Sequence, residues 1–446
     1  MLRLMVARSY RHLLLVVCVG WAITPVAAAD DARLRAALES VTADELYAHV
    51  ATLADDVFEG RGVGSRGGYA AAQYILGELR PCGLRPAGTD GDYFQLCDDG
   101  GRNILGVLPG SDPRLQQEYI IVGAHYDHVG DGRRGRANGP IGSIFNGADD
   151  NASGVATLLE TIEALAESGV GVRRSILFAF WDGEEVGLVG SKRWFDAPTI
   201  PPNAVRMTIN IDMVGRLRDG QLQVLGTRTG YGMRRLLSGE LDDRLQLDFS
   251  WELTGNSDHW PFVEHQIPAV MLHTGLHDDY HRPSDDVEKI NPAGMEVVTR
   301  YLLARLIAVA NVEALPAYRA TGRYETLAMQ RRATERIQYV SRGGWPGAAP
   351  PRLGISWRTD DAEPGSVSLT YVAAHSPAAA AGLAIDDRIH AVNDRPFGGG
   401  EAFRRLVIGQ LDAGAARITF EVESRGHVRT VTVRTLPPAP AADAST

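Results

Sequence analysis

Positive charge is in short supply in this chain. Its 446 residues carry 45 Lys and Arg against 55 Asp and Glu, a formal net charge of −10. Phosphate backbones are bound by clustered Lys and Arg, so this balance argues against a nucleic-acid partner. Long apolar runs are also missing. Leu13 to Ile23 is the most apolar stretch, and it is shorter than the roughly 20 residues a membrane span needs. No membrane span is expected in the mature chain. No long tandem repeat is visible, so repeat architectures fall away. Cysteine is scarce, with only Cys18, Cys82 and Cys97.

What is present suits folded domains. Hydrophobic residues make up 44% and charged residues 22% of the chain, which is ordinary for a globular protein. The length exceeds that of one compact domain and points to two. Arg3, Arg8 and Arg11 precede the apolar run, and Ala27-Ala28-Ala29 fits a small-x-small cleavage site. A signal peptide over residues 1–29 and a secreted or periplasmic location are therefore expected. Its removal takes Cys18 away. Two cysteines left in an exported chain favour a Cys82–Cys97 disulfide.

Helical patterning covers Asp31 to Leu53, Gly67 to Leu79, Ser153 to Ser168 and Pro292 to Val309. Strand-like runs cover Asn103 to Leu108, Tyr119 to Ala124, Ser175 to Trp181, Val205 to Met213, Gln221 to Leu225 and Ala269 to His273. Apolar strands alternating with helices predict an α/β fold, a mixed and largely parallel sheet with helices on both faces. Beyond about Val312 the texture changes. Tyr318 to Tyr339 is charged and helical in pattern, residues 343–351 are rich in Gly and Pro, and a β-rich second domain follows.

Five segments carry the chemistry: His125-Tyr126-Asp127-His128, Gly147-Ala148-Asp149-Asp150-Asn151, Trp181-Asp182-Gly183-Glu184-Glu185, Asn210-Ile211-Asp212 and Asp279-Tyr280-His281. Three of them follow strand-like runs, at the carboxyl ends where open α/β sheets place their sites. His125 and Asp127 alternate onto one side of a strand, where a carboxylate can fix an imidazole tautomer. Alone, that pair could equally be a polar strand end. Small residues flank Asp150 at the start of a helix, a position that also suits helix capping. Glu184 and Glu185 are harder to explain structurally, because adjacent carboxylates repel. At the end of an apolar run they suggest one metal ligand and one general base. Two histidines and several carboxylates suit a pair of divalent metals that activates water, which points to hydrolysis. Of the twelve histidines, five lie between His259 and His281. Most of these are not expected to be ligands, and His265 and His277 read as surface residues.

Taken in order over Asp31 to Val312, the segments resemble peptidase family M28, the co-catalytic zinc aminopeptidases and their relatives. The resemblance implies a zinc exopeptidase fold, two Zn2+ per chain and peptide substrates. It implies His125 and Asp212 on one zinc, Glu185 and His281 on the other, and Asp150 bridging both. Glu184 would be the general base, Asp127 would orient His125, and Tyr280 would hydrogen-bond the developing oxyanion. It further implies a cis peptide at Asp150–Asn151. Ser257-Asp258-His259-Trp260-Pro261-Phe262 also matches, with a role beside the ligands or in the substrate pocket. Two alternatives stand beside the aminopeptidase. One is a single-zinc glutaminyl cyclase-like acyltransferase, whose relatives carry Trp where Tyr280 stands. The other is a peptide-binding protein on an inactive peptidase scaffold, which the intact ligand set opposes.

The second domain resembles a bacterial PDZ domain. Leu353-Gly354-Ile355 is similar to its carboxylate-binding loop. Ser376 to Leu383 and Asp387 to Asn393 are similar to the helix, turn and strand that follow, with Asp386-Asp387 where Gly-Asp is usual. Such domains add a C-terminal peptide as an extra strand; a purely packing role is the equal alternative. The resulting division is signal peptide 1–29, metallopeptidase 30–315, helical segment and linker 316–350, PDZ-like domain 351–437 and disordered tail 438–446. All the site residues precede the linker, so the first domain is expected to fold and work alone.

Overall fold

The computed structural model describes residues 24–342 and 352–436. The expected signal sequence up to Ile23, the Gly/Pro-rich run 343–351 and the tail from residue 437 lie outside the described residues.

The sheet is built from apolar runs buried along their length. Strands β3 (Arg102–Leu108), β4 (Tyr119–His125), β5 (Ser175–Trp181), β6 (Val205–Ile211) and β9 (Ala269–His273) fall within a residue or two of the expected runs. Successive side chains of a strand point to opposite faces. In β4, Ile120, Val122 and Ala124 enter one core, while Tyr119 and Ile121 enter the other. A strand buried on both faces needs cover above and below. Helices α1 (Thr24–Ser40), α2 (Ala43–Leu53), α3 (Arg66–Leu79), α4 (Gly154–Ser168) and α8 (Pro292–Asn311) supply one layer. Helices α5 (Val189–Asp196) and α7 (Trp260–Glu264) cover the other face through Trp194 and Phe262; α6 (Met233–Leu237) follows β7.

Short strands β1 (Arg85–Pro86), β2 (Phe94–Leu96), β7 (Gln221–Leu225) and β8 (Gln246–Asp248) complete nine strands, in the order β1-β3-β5-β4-β6-β9-β7-β8 with β2 on β3. The central β5-β4-β6-β9 block is parallel, and β3 and β7 flank it antiparallel. The mixed, largely parallel sheet is as expected, and its parallel block ends where the five motifs begin.

Two expectations need correction. The helix over residues 31–53 is two helices, because Thr42 takes an extended backbone and its hydroxyl accepts the Glu45 N–H at 3.3 Å, capping α2. The Cys82–Cys97 disulfide is not formed, and both cysteines are free. Each thiol instead points to a carbonyl of its own segment, Glu78 for Cys82 and Gln95 for Cys97.

Residues 352–436 form a separate antiparallel sheet of six strands. These are β10 (Ile355–Arg358), β11 (Val367–Val372), β12 (Arg388–Val392), β13 (Arg395–Pro396), β14 (Arg417–Ser424) and β15 (His427–Arg434). Helices α10 (Pro377–Ala380) and α11 (Gly399–Asp412) accompany them, around a core centred on Phe403 and Phe420. Helix α9 (Leu327–Arg342) precedes this unit.

The two units are bound tightly. The β14–β15 turn docks by backbone bonds, Gly239 N to Gly426 O and Val428 N to Gly239 O at 2.9 Å, and Leu247 N to Arg425 O at 3.0 Å. Arg234 forks onto Glu423 at 2.7 and 3.0 Å. One Arg228 nitrogen sits 2.9 and 3.0 Å from the two oxygens of Asp360, and its other side pairs with Glu325.

Candidate metal centre

The ligand-type side chains leave neighbouring strand ends. His125 closes β4, Glu184 and Glu185 follow β5, Asp212 follows β6, and His281 lies in the loop after β9. Asp150 sits between β4 and α4, and the Asp150–Asn151 peptide is cis.

Nε2 of His125 lies 3.4 Å from Asp150 Oδ1 and 3.5 Å from Asp212 Oδ1. Nε2 of His281 lies 3.1 Å from Asp150 Oδ2 and 3.1 Å from Glu185 Oε2. The two oxygens of Asp150 thus face two different histidines. Ligands on a tetrahedral zinc at about 2.0–2.1 Å stand about 3.3 Å from one another, the spacing found here. Both imidazoles are set for ligation from behind. Nδ1 of His125 is 3.1 Å from the carbonyl of Asp127, and Nδ1 of His281 is 2.9 Å from that of Arg136. An Nδ1–H given to a carbonyl leaves Nε2 as a lone pair. That lone pair then faces carboxylate oxygens, a contact that needs a cation between. Donor types, spacing and tautomers all fit zinc.

The charges agree. Burial works against an ionised His125, yet Glu184, Asp150 and Asp212 outweigh it and hold the ring well above its ordinary value. Burial would raise the Asp150 carboxyl, but His125, His281 and His128 hold it well below the usual range. Glu184 goes the other way. Burial, then Glu185, Asp258 and Asp212, push it well above its ordinary value against His125. Carboxylates pushed in opposite directions by their environments suit different duties.

Asp127 meets His125 through its backbone carbonyl. Its carboxylate is 3.8 Å from Nδ1 of His125. It instead accepts the backbone N–H of Glu184 at 3.0 Å and of Glu185 at 3.3 Å. It therefore fixes the turn that presents both glutamates. Tyr280 stacks on His281 with ring centroids 3.8 Å apart. Burial and the carboxylates of Asp150 and Glu185 raise its phenol, keeping it a hydrogen-bond donor. In the 257–262 segment, Asp258 accepts from Ser191 at 2.5 Å and Ser257 from Asn210 at 2.8 Å. Burial pushes Asp258 up to about 6.

Several residues here were not legible in the sequence. His128 places Nδ1 2.7 Å from Glu185 Oε1, is buried, and with Asp150 and Glu185 forms a metal-capable triad. His277, read as a surface residue, has only 5% of its side chain exposed and sits 3.1 Å from Asp149. Asp285 accepts the N–H groups of Asp149 and Asp150 at 3.1 and 3.0 Å while Arg216 holds its other oxygen. Arg61 is fully buried and donates to the carbonyls of Leu53, Tyr126, Asn146 and Gly147. It thereby ties the β4 end to the Asp150 loop. Beside His128 and Glu185 opens a cavity of about 440 Å³ with apolar walls from Val63, Val129, Ile144 and Val186.

Comparison with known proteins agrees with this geometry. Residues 103–306 match the family model described as Peptidase family M28. "Leupeptin-inactivating enzyme 1" of Streptomyces exfoliatus is 28% identical over 50% of this chain, a match that spans 46% of that protein's own length. A "Probable leucine aminopeptidase" of Arthroderma benhamiae is 24% identical over 59% of this chain and 72% of its own. Among solved structures, the LapA aminopeptidase of Legionella pneumophila superposes with a TM-score of 0.52 at 21% identity, covering 63% of this chain and 75% of that one. LapB of the same organism gives 0.50 at 18%, covering 63% and 76%. At such identities the structures speak for the fold. The chain is thus similar to peptidases of family M28 over a region that holds every candidate ligand.

Proposed function

We propose that the first unit, residues 30–315, is a di-zinc aminopeptidase. The observation that carries this reading is the splayed carboxylate of Asp150, one oxygen toward His125 and Asp212 and the other toward His281 and Glu185. His125 and Asp212 would hold one ion and Glu185 and His281 the other, with Asp150 between them. Two zinc ions supply a Lewis acid for the peptide carbonyl and lower the pKa of water. Glu184 takes the proton from the attacking water and returns it to the leaving amine. Its raised carboxyl suits it to accept and give back within one cycle. Asp127 keeps Glu184 and Glu185 in register through their backbone N–H groups. Tyr280 directs its hydroxyl to the oxygen that gains charge at the carbonyl. The apolar cavity beside Glu185 favours substrates with apolar side chains, in line with the names of the relatives.

The test compares wild type with Asp150→Ala by elemental analysis and by turnover of leucine p-nitroanilide. Loss of two zinc ions together with turnover is expected. Loss of one ion, with cyclisation of N-terminal glutamine by the wild type, would replace this reading with the cyclase. We also propose that the second unit is of the PDZ type and that the chain is exported; the motifs at Leu353-Gly354-Ile355 and Ser376 to Leu383 support the first, and the basic and apolar N-terminal pattern supports the second.

A further inference from the structure

Away from the strand ends, three helices bring a second set of ligand-type groups together. His49 projects from α2, Tyr74 from α3, and Glu160 and Glu163 from α4. Nitrogen and oxygen atoms of His49, Glu160 and Glu163 all lie within 4.8 Å of one another. Glu160 is 3% exposed, so its carboxylate cannot be left to water. Its Oε1 nevertheless has no hydrogen-bond partner. Nε2 of His49 stands 3.2 Å from it, an ion-pair distance that falls outside hydrogen-bond geometry. On its other side His49 is held by the Tyr74 hydroxyl, 2.6 Å from Nδ1. As in the first centre, Nε2 faces a buried carboxylate slightly beyond 3 Å, but here Nδ1 meets a hydroxyl that can donate or accept, so a lone pair on Nε2 needs Tyr74 to act as the acceptor.

The surroundings are short of positive charge. Burial, then Glu160, Glu167 and Glu45, push the Glu163 carboxyl above its ordinary value, and His49 is the group that opposes them. The Cys82 thiol lies in the same field and is pushed up to about 11, by burial first and then by Glu163, Glu78, Glu167 and Glu160. A buried carboxylate oxygen whose facing imidazole is off hydrogen-bond geometry is poorly compensated, and a divalent cation would take one ligand atom from each of the three residues.

We propose that His49, Glu160 and Glu163 form a further divalent-cation site, of zinc type, that pins α2 to α4. One imidazole and carboxylate oxygens are ligands zinc accepts, and they suit softer ions better than magnesium or calcium. Glu163 is exposed, so solvent completes the coordination and the ion exchanges. The site is separate from the catalytic centre. From Gly154 to Glu163 the helix runs about 14 Å at 1.5 Å per residue. Its role is to stabilise the helix whose leading end carries the Asp150 loop, with no part in the reaction.

The test is the zinc content of the full chain, by elemental analysis, for wild type, Glu163→Gln and His49→Gln. Each variant should hold one zinc fewer than wild type and should turn over leucine p-nitroanilide within about twofold of it. Because the readout is a difference between chains, it holds whether the catalytic centre carries two ions, one or none. Cobalt substitution adds a second readout in the Asp150→Ala chain, where visible bands from the remaining cobalt should vanish on adding His49→Gln. Should His49→Gln fail to fold, the exposed Glu163→Gln decides. Unchanged zinc content in Glu163→Gln overturns the proposal. So does a loss of stability in His49→Gln that is the same with and without zinc, which would mean an imidazolium–carboxylate pair and no metal.

Discussion

At the residue scale, the proposed mechanism gives opposite duties to Glu184 and Glu185, neighbours in sequence. Glu185 lies 3.1 Å from Nε2 of His281, while burial and neighbouring carboxylates keep Glu184 raised. Glu184→Gln should therefore lower kcat by at least about 100-fold, the usual worth of a general base, with zinc content unchanged. Glu185→Ala should lose zinc. Near-normal kcat in Glu184→Gln would exclude it as the base. His128 makes a third case. Its Nδ1 holds the second oxygen of Glu185 at 2.7 Å, so His128→Ala should weaken zinc binding about 10- to 100-fold. Equilibrium dialysis checks this, and unchanged affinity would leave His128 a packing residue. The sequence displayed the ligands because each is a short polar motif after an apolar run. It could not display His128, His277 or Asp285, whose partners Glu185, Asp149 and the Asp150 backbone lie 57 to 135 positions away.

At the element scale, what holds the site is the meeting of the β4 end with the loop before α4. Arg61 spans that junction with donors to four backbone carbonyls. Each buried carbonyl left without a donor costs about 1–3 kcal/mol. Arg61→Met should thus destabilise the protein by at least about 3 kcal/mol and release zinc at lower chelator concentration. Urea unfolding and chelator titration read the two effects, and a loss under 1 kcal/mol would contradict the clamp. The long strands and α3, α4 and α8 were legible because each is an apolar run or stripe facing a core. The break at Thr42 was hidden, since a cap inside a continuous helical pattern looks like one more polar position. The disulfide was misjudged because an even cysteine count carries no information about distance. Alkylation of a chain lacking residues 1–29, folded and unfolded, should find two thiols per chain.

At the scale of the whole molecule, the second unit is more than a passenger. Arg228 and Arg234 of the first 342 residues meet Asp360 and Glu423 of the second unit, and within the first Arg228 shares Glu325 with Arg319. Burial would raise Asp360, but Arg388 and Arg228 hold it below the ordinary carboxylate range; Arg319 and Arg228 do the same for Glu325, and Arg234 for Glu423. A depressed native pKa adds stability that is complete above the unfolded values, 3.8 for Asp and 4.5 for Glu, and fades as pH falls through the native ones. Arg228→Met should accordingly destabilise by about 3 kcal/mol at pH 7, and by clearly less at pH 3. Urea midpoints of the two chains at both pH values give the difference, in which any metal lost in acid cancels. An equal difference at both pH values would contradict the assignment. The same network means that a chain ending at residue 342 should be less stable than the full protein, where the sequence pointed to an independent first domain.

The central claim is that Asp150 bridges two metals. Anomalous diffraction at the zinc edge from crystals of the full chain tests it most directly. Two peaks about 3.5–4 Å apart are expected on either side of Asp150, one against His125 and Asp212 and the other against Glu185 and His281. A single peak at full occupancy, or two peaks that do not share Asp150, would contradict the account.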